Sequence, residues 1–213
     1  MVAKKKIAIL IFLVAWIAGN TISAQAQLKG SFKSVAGMST SQIQAIEIAL
    51  STALLKASAS AKTKLTNITN GQGAVVGFVS TMTVDEIFRC AVGGTIHSTW
   101  IQKTMSEIAN DLSATGSING SGHQIISGWK CVKGWIIDGD PYLSRLLSGK
   151  MFAGSTSMNY YLSGGWKALG PNKAKQSCQV TGNRQSSNNI LGGVSTVHVS
   201  CVPGGKTDTT MRW

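Results

Sequence analysis

Acidic residues are scarce in this sequence. Eight Asp and Glu stand against twenty Lys and Arg, for a net charge of +12. Few carboxylates leave few places for paired acid–base chemistry. Glu107 and Asp111 lie four apart, and Asp138 and Asp140 flank Gly139. Each local pair suits a structural role, a solvated helix face or a turn and cap, better than the acid and base of a glycosidase.

Close cysteine pairs are missing as well. Cys90, Cys131, Cys178 and Cys201 are separated by 41, 47 and 23 residues, with no Cys-x-x-Cys. Zinc sites bring their ligands in close pairs, so a metal site is not expected. His97, His123 and His198 fall in no zinc-binding spacing. No Gly-x-Ser-x-Gly elbow, Walker loop, dinucleotide fingerprint or EF-hand loop occurs. A catalytic triad is assembled in space rather than in sequence, but no motif here announces one. Ser127-x-x-Lys130, Ser186-x-Asn188 and Lys206-Thr207-Asp208 follow the motif order of penicillin-binding enzymes. Their context differs: glycines and a strand pattern surround Ser127, and Asp208 stands where that order needs Gly. The expectation is no cofactor, no metal and no catalytic residue.

Long apolar runs are absent too. A membrane-spanning helix needs roughly 20 apolar residues, and the longest apolar run, Ile7 to Ala18, has 12. Its surroundings explain it. Lys4, Lys5 and Lys6 precede it, Asn20 and Thr21 interrupt it, and Ala24-Gln25-Ala26 supplies small residues for cleavage. Residues 1–26 therefore read as a cleavable signal peptide, with the mature chain starting at Gln27. No Cys lies near that point, which argues against lipidation. The three lysines leave with the leader, so +12 becomes +9.

A basic balance favours anionic partners such as nucleic acid, lipid head groups or anionic surface polymers. Here the positive charges are scattered, with no block of five or six, so a generally basic exported protein is the preferred reading. Nucleic acid has no supporting motif. An even cysteine count in an oxidising compartment predicts two disulfides. Three pairings are open, and the sequence-local one, Cys90–Cys131 with Cys178–Cys201, is the expectation.

The pattern changes near residue 115. Before it, helical spacing dominates. Ile43, Ile46, Leu50, Leu54, Ala57, Ala61 and Leu65 recur at steps of three and four, predicting a helix over 41–65, and Ser39 with Gln42 has capping-box spacing. Thr83 and Glu86 suggest a second helix ending at Gly93-Gly94, with Cys90 on it. Ile101, Met105, Ile108 and Leu112 predict a third over 99–112. Beyond 115, residues 124–126, 131–137, 151–162, 177–180 and 194–202 read as strands. Asp140-Pro141 reads as the start of a short helix over 141–148. On the last strand Val197, Val199 and Cys201 share one face, His198 and Ser200 the other. The expected architecture is α+β: a mainly helical region of about three helices over 27–114, then an antiparallel, Gly/Ser-rich β region over 115–213, packed as one disulfide-stabilised domain.

The segment Gly128 to Trp135 is the candidate binding element. Read as a strand, it places Trp129, Cys131, Lys133 and Trp135 on one face. Exposed, that face would stack on sugars or bases; buried, the tryptophans would pack against the Cys131 disulfide. Trp213 gives the aromatic ending of outer-membrane barrels, but a run of ten-residue alternating strands is not evident before it. Asn67-Ile68-Thr69 and Asn119-Gly120-Ser121 fit a glycosylation pattern that matters only in a eukaryotic host. The functional expectation is a non-enzymatic, exported binding or structural component of a bacterial envelope assembly. The alternative is a cell-wall or glycan-acting binding protein or hydrolase, and a third is a cationic toxin or nucleic-acid binder. N-terminal sequencing of the exported protein should start at Gln27; a product that keeps residues 1–26 would refute cleavage.

Overall fold

The computed structural model describes residues 27–29, 37–108, 114–152, 155–187, 194–204 and 206–212. The predicted leader, Asp111, Leu112, Asn188 and Trp213 lie outside the described residues. The elements are β1 (Gln27–Lys29), α1 (Thr40–Ala59), β2 (Lys62–Thr69), β3 (Val75–Arg89), β4 (Thr95–Ile108), β5 (Ala114–Ser127), β6 (Ile136–Phe152), β7 (Ser155–Leu169), β8 (Lys175–Ser187), β9 (Val194–Val202) and β10 (Lys206–Arg212). The ten strands among the described residues form one antiparallel sheet in the order β1-β10-β9-β8-β7-β6-β5-β4-β3-β2. From β2 onward each strand pairs with the next, and β1 closes the far side against β10.

The expectation of a helical N-terminal region is overturned. Among the described residues there is a single α-helix, and β2, β3 and β4 occupy 62–108. The helix predicted over 41–65 ends at Ala59, and Leu65 belongs to β2. The other two predicted helices are β3 and β4. The physical reason is arithmetic. A spacing of four fits one helix face, and it also fits one strand face, because four is twice the strand period. Ile101 and Met105 are such a pair and both point away from the core, exposed. The buried partners on β4 are Ile96, Ser98, Trp100, Gln102, Thr104 and Ser106. That alternation is largely polar, so a hydrophobic pattern could not reveal it. The Gly93-Gly94 pair is a hairpin turn with positive φ, 119° and 87°, rather than a helix end.

The predicted short helix over 141–148 is likewise part of β6. Asp140 and Pro141 sit in an irregularity of the β6–β7 ladder between Gly139 and Leu143. Beyond it, Leu143 and Arg145 are buried while Tyr142 and Leu146 are exposed, a strand period. Residues 131–135 form no strand; a turn follows the isolated Trp129–Ile137 bridge. The strand at 194–202 matches β9, with Val199 and Cys201 buried.

Helix α1 starts as its sequence indicates. Ser39 caps it, with the Gln42 side chain returning to the Ser39 backbone, so both members of the box are in place. The helix then crosses one face of the sheet. Near its start Met38 N–H donates to Gln176 Oε1 of β8 at 3.0 Å. Midway, Leu50 O accepts from Gln124 Nε2 of β5 at 2.9 Å. Past its end, Ser60 Oγ donates to Glu86 Oε2 of β3 at 2.9 Å. Twenty residues of helix span about 30 Å, and the five strand steps from β8 to β3 span about 24 Å. One helix is thus long enough to roof the middle of the sheet.

The core lies between them. Ile43, Ile46, Leu50 and Ala53 meet Ile96, Ile126, Ile137, Leu143, Trp166 and Val180. Two disulfides, Cys90–Cys131 and Cys178–Cys201, join the same cluster. The first ties the end of β3 to the β5–β6 connection, and the second links directly paired residues of β8 and β9. This is the pairing expected from the sequence. Trp166 is fully buried, and Trp166→Ala should lower unfolding free energy by about 3–5 kcal/mol. Replacing Cys178 and Cys201 by Ala should lower it by about 2–4 kcal/mol. Urea denaturation tests both; a Trp166→Ala loss below about 1 kcal/mol would contradict a closed core at this point.

Candidate functional site

The segment Gly128 to Trp135 does not present a binding face. Gly128 and Gly134 have positive φ, 55° and 83°, and break the strand alternation that the exposed face required. Trp129 is 3% exposed and Trp135 7%. The Trp129 ring meets Phe88 of β3, centroids 5.5 Å apart. Trp135 lies against Gly170, where a Cβ would come within 2.6 Å of the indole. Lys133 is exposed, and its carbonyl accepts from Gln42 Nε2 of α1 at 3.2 Å. Both rings are core beside the Cys90–Cys131 bridge, and Lys133 stands without them.

The titratable residues are dispersed. His97 and Asp85 form an outward-facing pair at 2.6 Å on β4 and β3. Asp140 pairs with Lys167 at 2.7 Å. Asp138 Oδ1 accepts from Gly128 N–H at 2.6 Å and so holds the connection after β5. His123 packs against Tyr142 with the rings tilted by 45° and their centroids 5.3 Å apart. No group of three or more His, Cys, Asp or Glu suited to a metal occurs among the described residues. Ser127 and Lys130 are both exposed beside the β5–β6 connection.

Two features were not singled out from the sequence. The first is a buried polar network on the helix-facing side. Arg145 of β6 is 7% exposed. Its Nε donates to Gln124 Oε1 at 2.8 Å, and its Nη1 donates to the Tyr160 hydroxyl of β7. Gln124 in turn donates to Leu50 O and to Ser98 Oγ, each at 2.9 Å. One amide thus connects β4, β5, β6 and α1. The clue was present: Leu143, Arg145 and Leu147 alternate, which places a guanidinium on the apolar face. Beside the network, Trp100 lies flat over Gly120 and Gly122, where any Cβ would fall within 3 Å of Trp100 atoms.

The second is the outer face of the sheet. Register aligns Thr99, His123, Ser144, Ser163, Thr181 and His198 across six strands. The next row holds Ile101, Ser121, Leu146 and Tyr161, of which Ile101, Leu146 and Tyr161 are exposed hydrophobics. The outcome is a broad surface of polar residues interspersed with exposed apolar ones, Ile87 and Met105 included.

Comparison with protein families, curated proteins and solved structures finds no match. No helix among the described residues is long and apolar enough to cross a membrane. That and the two disulfides are compatible with an extracellular or periplasmic protein.

The network makes a quantitative prediction. Gln124→Leu leaves a buried guanidinium short of its acceptor and should destabilise by about 3 kcal/mol. The double variant with Arg145→Leu should fall well short of the summed single losses, because both changes remove one interaction. Additive losses in a urea double-mutant cycle would show the two residues to be energetically independent.

Proposed function

We propose that this chain is an exported, periplasmic or secreted, non-enzymatic protein that serves as a binding or structural component of a bacterial cell-envelope assembly. A pilus, a secretion system or a conjugation apparatus is the setting meant. The observation that carries this reading is how the two sheet faces are used. The helix-facing side is filled with packed side chains, including Trp100, Trp129 and Trp166. The extensive accessible surface is the opposite face, where polar residues are interspersed with exposed apolar ones such as Ile101, Leu146 and Tyr161. Such a surface suits contact with other macromolecules better than turnover of a small substrate, which needs a concave site with convergent polar groups.

Further support comes from charge and compartment. The leader-like start, the paired cysteines and the scarcity of acid fit a protein placed among anionic envelope polymers and acidic partners. The alternative, action on cell wall or glycan, rested on Trp129 and Trp135, and their burial leaves it without those stacking residues. In-cell cross-linking followed by purification should capture defined envelope proteins with this chain. A strictly monomeric protein that retains none would overturn the proposal. Peptidoglycan retention that falls on Trp129→Ala, with the fold intact, would favour the glycan reading instead.

A further inference from the structure

Strand β2 is the long free edge of the sheet. It spans Lys62–Thr69 and ends the strand order, with β3 as its one neighbour among the described residues. Seven of its eight residues are exposed, and Ile68 is intermediate. Its register with β3 runs without interruption from Lys62 to Ile68. In an antiparallel edge strand every second residue turns its N–H and C=O away from the neighbour. A straight row of unused backbone donors and acceptors results. At the opposite edge, β1 supplies only three residues.

The side chains of β2 define what would fit. Lys62, Lys64 and Thr66 lie on the outer face of the sheet, Thr63, Leu65 and Asn67 on the helix-facing side. Leu65 is 49% exposed and pairs across to Ser80, one register step on that face from the Thr63–Met82 pair. Lys64 pairs across to Thr81, and Thr81 to Lys103, so a third lysine stands on the same face, about 10 Å away. Glu107 occupies the other end of this face, in line with Gly77 and Ile68, so the positive stretch is the Lys62–Lys64 half.

We propose that β2 is a docking edge for an extended segment of a partner protein, one that alternates carboxylate and apolar side chains. The segment adds an eleventh strand. Its backbone completes the hydrogen bonds of β2, its carboxylates face Lys62 and Lys64, and its apolar residues cover Leu65. Charge selects this occupant over a second copy of the chain, since two net-positive molecules repel, at +12 for the full chain or +9 without Lys4, Lys5 and Lys6. The inference deepens the envelope-assembly reading and rests on it only for where the partner resides.

The test uses the disulfide-bonded chain and a labelled, capped peptide of β2's length that alternates Glu and Val. A Lys/Val peptide is the control. Fluorescence anisotropy should give saturable binding of the Glu peptide, about tenfold or more tighter than the control and weakened by salt. Lys62→Glu with Lys64→Glu should reverse the preference. Amide exchange over residues 62–69 should slow when the Glu peptide binds, a readout that nonspecific charge attraction would not move. Equal binding of both peptides, or protection elsewhere than β2, would overturn the inference. So would protection of β2 by increasing protein concentration alone, which would assign the edge to a second copy. Envelope partners retained without peptide binding would remove this inference alone. Peptide binding without envelope partners would remove the assembly reading and leave the docking edge standing.

Discussion

One helix has to cover one face of one wide sheet, and the rest of the structure follows from that constraint. A helix surface is narrow and a ten-strand sheet is broad, so α1 crosses the strands instead of lying along them. Its hydrogen bonds to β8, β5 and β3 mark the crossing. Space beside the helix is filled by the largest side chains available, Trp129, Trp135 and Trp166, and by the two disulfides. Toward β3 and β4 the helix carries Ala53 and Ala57, and the sheet answers with Met82 and Trp100. Glycine then becomes necessary under Trp100: the indole lies flat on β5 only because positions 120 and 122 have no side chain. Loss of the helix would uncover the whole core at once, since no second layer shares the task among the described residues.

The buried polar residues follow from the same geometry. The helix-facing side of β4 also holds Ser98, Gln102, Thr104 and Ser106, and β5 and β6 add Gln124 and Arg145. Desolvated groups of this kind are tolerable only when they bond to one another. Gln124 meets that need by spending its oxygen on Arg145 and its nitrogen on Leu50 and Ser98. A network so connected fixes strand register: a slip by one residue would turn Arg145 outward and strand Gln124 among apolar neighbours.

These polar positions also explain why the fold was only partly legible in the sequence. The cap at Ser39, the start of α1, strand β9 and the disulfide pairing depended on local signals and were readable. β3 and β4 were not, because the buried residues of β4 include Ser98, Gln102, Thr104 and Ser106, while the exposed Ile87, Ile101 and Met105 mimic a helical stripe. Hydrophobic periodicity reports a core face only when that face is hydrophobic. The candidate site misled for a related reason. Alternation from Trp129 to Trp135 holds only for extended backbone, and Gly128 just before that span and Gly134 near its end turn the chain. Two glycines flanking the segment were visible, but in a chain with 24 of them a bend could not be told from a strand end. Arg145 and the β2 edge emerge only from topology, since the first needs its neighbours on β5 and β7 and the second needs knowledge of which strand comes last.

The two edges of the sheet are unlike, and the difference bears on how an open sheet avoids pairing with another copy of itself. An open antiparallel sheet always leaves two rows of backbone groups, and aggregation through them is the default hazard. At one side the outermost strand, β1, is three residues long, too short a template for stable pairing. At the other, β2 offers a full-length template guarded by Lys62 and Lys64. Lysines on an edge repel another edge of the same charge, so they block self-pairing without occupying the backbone. A Pro or a bulge in the middle of β2 would have protected the edge by destroying it; charge protects it while leaving the hydrogen-bonding row intact. The device therefore discriminates among partners instead of refusing all of them, and it does so by the sign of the charge that approaches.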